Sequence, residues 1–220
     1  GPSPEVAKRL AQELVVQEKV DFLAGFGLTP EALAVADIAT EAKKPMVIFN
    51  AATSIITTKS PYIARTSMTL PQISAPMGTW AAKNGIKKVV TLVADYGPGN
   101  DAEGAFKKTF TAAGGTVQES IRTPLQNPDF GPFIQRVKDA KPDAVFILAS
   151  PRVTDQIVQQ CVDLGVKHVW MHCLMGTKPG MSPTSTSVSQ EAVQVCRENG
   201  IEVIPGACPN QYLNPDFGHK

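Results

Sequence analysis

The sequence predicts an α/β protein organised on a doubly wound parallel sheet, and three observations carry that prediction. Lys141-Pro142-Asp143 leads into Ala144-Val145-Phe146-Ile147-Leu148-Ala149, a short run apolar on both faces and soon closed by Pro151. Without polar alternation, such a run reads as a buried strand of a parallel sheet. Strand-like and helix-like stretches alternate on both sides of it, the pattern of right-handed β-α-β crossovers. Finally, 220 residues with 43% apolar and 19% charged content suffice to bury a real core, as one large domain or two small ones.

Taken in order, Pro4–Gln17 carries Val6, Leu10 and Leu14 at helical spacing, with Pro in the first turn. Val20–Ala24 is a short strand running into the loop Gly25-Phe26-Gly27-Leu28-Thr29. Thr29 is placed to cap a helix from Pro30 to about Ala42, with Glu31 in its first turn. Met46–Phe49 is a strand that breaks into Asn50-Ala51-Ala52-Thr53-Ser54, and Tyr62–Ser67 is the next strand. Leu70–Asn84 reads as a helix in which Pro76 should shift the start or introduce a kink.

Lys88–Ala94 is the strongest apolar strand, followed by the loop Asp95–Asp101 and a helix to Ala113 closed by Gly114-Gly115. Thr116–Pro124 is a strand, Asp129–Ala140 a helix and Ala144–Ala149 a strand. Beyond Pro151 come a helix (Val153–Leu164), a strand (Lys167–His172), a Gly/Pro/Ser/Thr-rich loop (Cys173–Ser187), a helix (Val188–Asn199) and a strand (Ile201–Pro205).

The five strands from Lys88 onward suffice for one doubly wound sheet with Lys88–Ala94 at its centre, so a complete domain is expected over residues 69–220. Residues 1–68 supply three strands preceded by a helix and read as an incomplete α/β lobe. An incomplete sheet exposes an edge, which predicts a homodimer through that edge or exchange of a segment.

A net charge of +1 without long charged runs argues against a nucleic-acid polymer as partner. No apolar stretch is long enough for membrane insertion. The sequence shows no signal peptide, which leaves the compartment open. Cys161, Cys173, Cys196 and Cys208 lie in the last third without a CxxC pair and read as reduced thiols.

Catalytic and cofactor patterns are weak throughout. Gly97-Pro98-Gly99-Asn100-Asp101-Ala102 fits the spacing of a dinucleotide loop, but Pro98 removes a backbone donor and Asp101 sets a negative charge where pyrophosphate would lie. His168 and His172 share a strand face about 13 Å apart, too far for one metal ion, and Cys173 points the other way. No G-x-S-x-G elbow follows a strand. Neither an enzyme, nor a cofactor, nor a metal site is expected.

Several stretches do carry a family likeness. Phe26-Gly27-Leu28-Thr29-Pro30, Phe49-Asn50-Ala51-Ala52-Thr53-Ser54, Arg65-Thr66-Ser67-Met68, Asp95-Tyr96-Gly97-Pro98-Gly99 and Asn127-Pro128-Asp129-Phe130 closely resemble the branched-chain amino-acid-type substrate-binding proteins of ABC transporters, of the type I periplasmic binding fold. The likeness covers residues 4–149 and implies a small amino-acid or carboxylate ligand between two lobes. Thr29, Ala51 and Thr53 would hold its charged groups and Tyr96 would close over it.

From about residue 151 the likeness switches to the Rossmann-like CoA-binding-domain proteins, on Gly165-Val166-Lys167-His168-Val169-Trp170-Met171-His172, Arg197-Glu198-Asn199-Gly200-Ile201 and Gly206-Ala207-Cys208-Pro209. Together these imply an engineered chimera joined near 149–152, with no designed activity. The alternative is a small-molecule binder that retains an amino acid, a carboxylate, CoA or another nucleotide. The first parent would be periplasmic and the second intracellular.

Overall fold

Helix α1 (Pro4–Val16) opens the chain in the computed structural model, which describes residues 3–124, 129–149, 157, 159, 162, 168–171 and 190–205. Ser3 caps it, its hydroxyl accepting from the Val6 N–H at 3.4 Å. Ala7, Ala11 and Val15 face the core, whereas Val6, Leu10 and Leu14 lie exposed on the flank of the helix. Lys19 turns left-handed (φ 52°) and the Val20 N–H returns to the Leu14 carbonyl. Residues 20–22 therefore finish the turn, and strand β1 is Leu23–Gly25 rather than Val20–Ala24.

Helix α2 (Thr29–Glu41), strand β2 (Met46–Ile48), a short 3-10 turn (Ser54–Thr58) and strand β3 (Ile63–Arg65) follow. The three strands form a parallel sheet in the order β1-β2-β3, with Leu23 beside Met46 and Met46 beside Ile63. Val35, Met46, Ile48 and Ile56 are fully buried between sheet, α2 and the 3-10 turn. This first unit extends to Gln72, and a second begins at Ile73.

Helix α3 (Leu70–Lys83) spans that boundary. It starts on a reciprocal cap: the Thr69 N–H donates to Gln72 Oε1 at 2.7 Å, and the Gln72 N–H to Thr69 Oγ1 at 3.3 Å. That cap fixes the start at Leu70, so the expected shift by Pro76 does not occur and the helix continues past it. Gly78 lets α3 meet helix α4 (Gly97–Ala112): a Cβ there would lie 2.5 Å from the Phe106 carbonyl oxygen. Thr109 joins the two helices by donating to the Ala75 carbonyl at 2.7 Å.

The second unit holds strand β4 (Lys88–Ala94), α4, strand β5 (Thr116–Thr123), helix α5 (Gly131–Ala140) and strand β6 (Ala144–Leu148). All three strands are parallel in the order β5-β4-β6, with β4 central as the apolar pattern predicted. One face packs Val90, Leu92, Ile121, Ile134 and Val137 together. Elsewhere in the unit Phe106 stacks on Phe110 and on Phe146, with ring centroids 5.4 and 4.3 Å apart.

Asp143, read in the sequence as a strand boundary, anchors the sheet. Its carboxylate accepts from the Lys87 and Lys88 N–H groups at 2.9 and 2.8 Å, and its own N–H donates to the Lys88 carbonyl. Helix α4 begins at Gly97, so the stretch to Asp101 expected as loop is already helical. Gly99 makes this turn fit, since a Cβ would overlap the Ala94 carbonyl oxygen at 2.0 Å.

Strand β7 (His168–Met171) and strand β8 (Glu202–Pro205), the latter preceded by helix α6 (Gln190–Glu198), pair in parallel as a separate sheet. The expected single five-stranded sheet is thus replaced, among the described residues, by sheets of three and two strands. Apolar runs identify strands but do not say which strand lies beside which. The fold is α/β, and every strand pair among the described residues is parallel. Within α6, Cys196 is buried, which pushes its thiol pKa up. Most of the helix expected over 153–164, and His172, Cys173 and residues 206–220, lie outside the described residues. No described helix is long and apolar enough to cross a membrane.

Candidate functional site

The carboxyl ends of parallel strands are where α/β sheets leave loops and helix N-termini free for ligands. In the first unit three loops leave that edge: 26–28 after β1, 49–53 after β2 and 66–69 after β3. The first two are tied together. The Ala51 N–H donates to the Phe26 carbonyl at 3.0 Å, and Asn50 Nδ2 donates to the Gly27 carbonyl at 3.0 Å. Phe26 adopts the left-handed region (φ 68°), uncommon for a bulky residue, and these bonds hold its loop there.

Thr29 does not cap α2, as the sequence suggested. Leu28 occupies the cap position in extended conformation, its N–H bound by the Glu31 carboxylate at 3.2 Å, and Thr29 is the first helical residue. Its hydroxyl is released from capping and lies 2.7 Å from Thr53 Oγ1. Both threonines are buried, at 5% and 4% exposure, in a place where polar side chains need partners. Two hydroxyls carry two hydrogens and one lies between them, so one hydrogen is left for an acceptor. Ala51, two residues before Thr53, is buried beside them in sequence.

Large apolar side chains are also exposed along these loops. Leu28, Phe49 and Ile55, the chain neighbours of Thr29, Asn50 and Ser54, expose 45%, 58% and 45% of their surface. Arg65, ending β3, donates from Nη2 to the Thr53 carbonyl at 2.8 Å. Sequence reasoning named Thr29, Ala51 and Thr53 but passed over Asn50, Phe26 and Arg65. A lone Asn between a strand and an alanine pair was the available signal, and it reads equally as a turn residue.

Tyr96 belongs to the second unit. It precedes α4 in extended conformation at the end of β4, where the order β5-β4-β6 reverses direction. Its N–H donates to the Ala94 carbonyl at 2.9 Å. Burial pushes its phenol above the ordinary value.

The same unit holds a buried polar group of another kind. Glu103 on α4 is 3% exposed, accepts from the Thr91 hydroxyl and pairs with the Arg122 guanidinium. Burial pushes its carboxyl up. Hydrogen bonds from Thr91, Arg122 and Ser120 and the Arg122 charge pull it further down, to a net value below the usual range.

A family model described as periplasmic binding protein matches residues 1–194. Over 165 residues the chain is 52% identical to proteins named Leu/Ile/Val-binding protein homolog 6 of Brucella abortus (strain 2308) and Brucella suis biovar 1 (strain 1330), covering 74% of this chain and 42% of each of theirs. The chain therefore spans less than half the length of these curated relatives. A solute-binding protein of an ABC transporter from Rhodopseudomonas palustris BisB5, solved with 3,4-dihydroxybenzoic acid, is 56% identical with a TM-score of 0.69, over 74% of this chain and 45% of that one. Another from R. palustris, solved with 4-hydroxybenzoate, is 39% identical with a TM-score of 0.73, over 92% and 61%. A leucine-binding protein of Thermotoga maritima is 25% identical with a TM-score of 0.72, over 90% and 53%.

The family match runs unbroken across the expected junction near 149–152. These similarities lend no support to a chimera or to a CoA-binding-domain origin of residues 151–220. The stretches behind that reading, such as Gly165-Val166-Lys167-His168-Val169, follow the sequence pattern expected of a helix-ending glycine and an apolar strand, which is common to α/β chains.

Proposed function

The chain belongs to the periplasmic binding protein family, and from that premise we propose that it binds a small carboxylate, an aromatic acid foremost, as the solute-binding component of an ABC transporter. The observation that carries this reading is the buried Thr29–Thr53 hydroxyl pair at the carboxyl edge of the first sheet. Its remaining hydrogen and the first-turn N–H groups of α2 suit a carboxylate, and the exposed Leu28 and Phe49 suit a ring. Relatives at 56% and 39% identity were solved with hydroxybenzoates.

In this reading Thr29 and Thr53 take the carboxylate, Ala51, whose N–H is held by the Phe26 carbonyl, lines the site as a small residue between them, and Tyr96 contributes a rigid aromatic face with a polar tip. On the same reading the division between lobes falls near residue 68, just ahead of the boundary between the compact units at Gln72 and Ile73. Its relatives are binding proteins rather than enzymes, and the proposed role needs no catalytic step. A second reading, a branched-chain amino acid, is favoured by the relatives named for Leu, Ile and Val at 52% identity. Neither CoA, nor a nucleotide, nor pairing of two copies through the open sheet edge draws support from these relatives.

The test is calorimetric titration of the protein with benzoate, 4-hydroxybenzoate, 3,4-dihydroxybenzoate, leucine, isoleucine and valine. Saturable one-to-one binding of a benzoate supports the first reading, and binding of the aliphatic amino acids alone replaces it with the second. Binding of none overturns both.

A further inference from the structure

We propose that Gly27 sets the size of ligand this site admits: the side chain it lacks is the space that the ring of an aromatic acid takes up. The inference rests on the carboxylate reading above and names the residue that gives it room for a ring.

A glycine held at a fixed place answers one of three needs: a left-handed backbone, the close approach of another part of the protein, or the close approach of a ligand. Gly25, just ahead of this loop, answers the first with φ 123°. Gly78, Gly99 and Gly115 answer the second, since a Cβ on them would lie 2.4, 2.0 and 2.4 Å from the nearest atom. Gly27 answers neither. Its backbone is outside the left-handed region, and among the described residues a Cβ there would meet only Glu31 Oε2, at 4.0 Å, an ordinary contact. The fold would accept a side chain at this position, so the third need remains.

The surroundings fit a ligand. The loop is held in place: Asn50 Nδ2 donates to the Gly27 carbonyl and the Ala51 N–H to the Phe26 carbonyl, each at 3.0 Å. Glu31 Oε2 accepts from the Leu28 N–H at 3.2 Å, so a Cβ on Gly27 would reach toward the capped end of α2. That is the end whose first-turn N–H groups and Thr29 hydroxyl take the carboxylate in the reading above. Gly27 itself is exposed, and so is the apolar side chain of Leu28 beside it. A carboxylate at Thr29 and Thr53 carries its ring into the gap at Gly27, against Leu28. Gly104 is the internal comparison. Among the described residues a Cβ there also meets nothing within 4 Å, but it stands in mid-helix on an exposed face of α4 and on none of these loops.

The test is a size series, Gly27→Ala and Gly27→Leu, with Gly104→Ala as the control. Each is read by a thermal melt without ligand and by titration with 4-hydroxybenzoate and with propanoate, a carboxylate without a ring. Tm should stay at or slightly above the wild-type value in Gly27→Ala and Gly104→Ala, because alanine restricts the unfolded chain where the native backbone tolerates it. Affinity for 4-hydroxybenzoate should fall with side-chain size, by about tenfold or more in Gly27→Leu. Propanoate should bind the Gly27 variants nearly as it binds the wild type, and Gly104→Ala should bind both acids unchanged.

Wild-type affinity for 4-hydroxybenzoate in a folded Gly27→Leu overturns the proposal. Equal loss for both acids overturns it too, since the damage would then lie at the carboxylate and not at the ring. If Gly27→Leu does not fold or propanoate binds too weakly to read, Gly27→Ala decides. Affinity lost at an undiminished Tm upholds the proposal, and affinity unchanged, or lost only together with a fall in Tm, overturns it. A wild-type protein that binds no aromatic acid removes the functional reading itself. Wild-type binding with indifferent Gly27 variants removes this inference alone.

Discussion

Two clusters of nearly the same residue types sit in the two units and do opposite things. In the first, Thr29, Thr53 and Arg65 gather at the carboxyl edge of the sheet, where the hydroxyls hold each other and one hydrogen remains to give. In the second, Thr91, Glu103 and Arg122 gather in mid-sheet, because Thr91 is the central residue of β4 and Arg122 lies beside Val93 on β5. There both carboxylate oxygens of Glu103 are occupied, one by Thr91 and one by Arg122. The contrast teaches that composition does not make a site. Position along the strand and an unfilled bond do.

The largest expected effect on stability breaks the second cluster. Glu103→Ala takes the counter-charge from Arg122, whose side chain is 35% exposed, and leaves Thr91 only the Glu119 carbonyl at 3.5 Å; losing charge-assisted hydrogen bonds of this kind costs about 2 kcal/mol. Chemical unfolding should show that loss for the second unit, while the affinity for 4-hydroxybenzoate stays as in the wild type. A drop in affinity of tenfold or more would mean that the two clusters are not separable in function. The pH dependence has a fixed sign. Because the folded carboxyl is held below its ordinary value of 4.5, its stabilisation is present above that pH and fades as pH falls below it. Glu103→Ala should therefore flatten the acid limb of a plot of stability against pH.

Breaking the first cluster should do the reverse. Thr53→Val keeps the shape and removes the shared hydrogen bond and, with Thr29 donating to Thr53 and Thr53 to the ligand, takes away the ligand's donor. A lost hydrogen bond to a charged ligand is worth about 1.5–3 kcal/mol, or roughly tenfold to a hundredfold in Kd. Stability should change by about 1 kcal/mol or less. If Thr53→Val unfolds the unit without changing affinity in the folded fraction, the hydroxyl pair is a structural device like its counterpart in the second unit.

How far the sequence showed these clusters differs in the same way. The strands were legible because Lys88–Ala94 and Ala144–Leu148 are apolar on both faces, a signal set by local burial. Thr29 and Thr53 were singled out through the family likeness of their loops, and the structure brings their hydroxyls together, although the capping role expected of Thr29 is filled by Leu28 and Glu31. Glu103 was not legible. On a helix whose neighbours are Gly104, Lys107 and Lys108, a glutamate reads as surface, and only the register of β4 against β5 brings Thr91 and Arg122 around it. Arg65 was hidden for a related reason, since its partner lies twelve residues earlier across a turn. The expected junction near 149–152 draws no support from the family match, which spans it, and local strand and helix signals are shared by all α/β chains.

The smallest effect tests whether burial is what separates a strong carboxylate from a weak one. Asp143 also binds two donors, the N–H groups of Lys87 and Lys88, but it is exposed to solvent. Those two N–H bonds hold its carboxyl below the ordinary value of 3.8, so its contribution too is present above that pH and lost as pH falls below it. Asp143→Asn keeps an acceptor oxygen and loses the charge. At neutral pH it should lower Tm by much less than Glu103→Ala does, because water competes for every bond it makes. In acid, as Asp143 takes up its proton, the two melting curves should converge. A loss as large as that of Glu103→Ala would show that its link to the first residues of β4 is what holds β6 in register. It would also place the critical carboxylate of the second unit at the rim of the sheet instead of beneath α4.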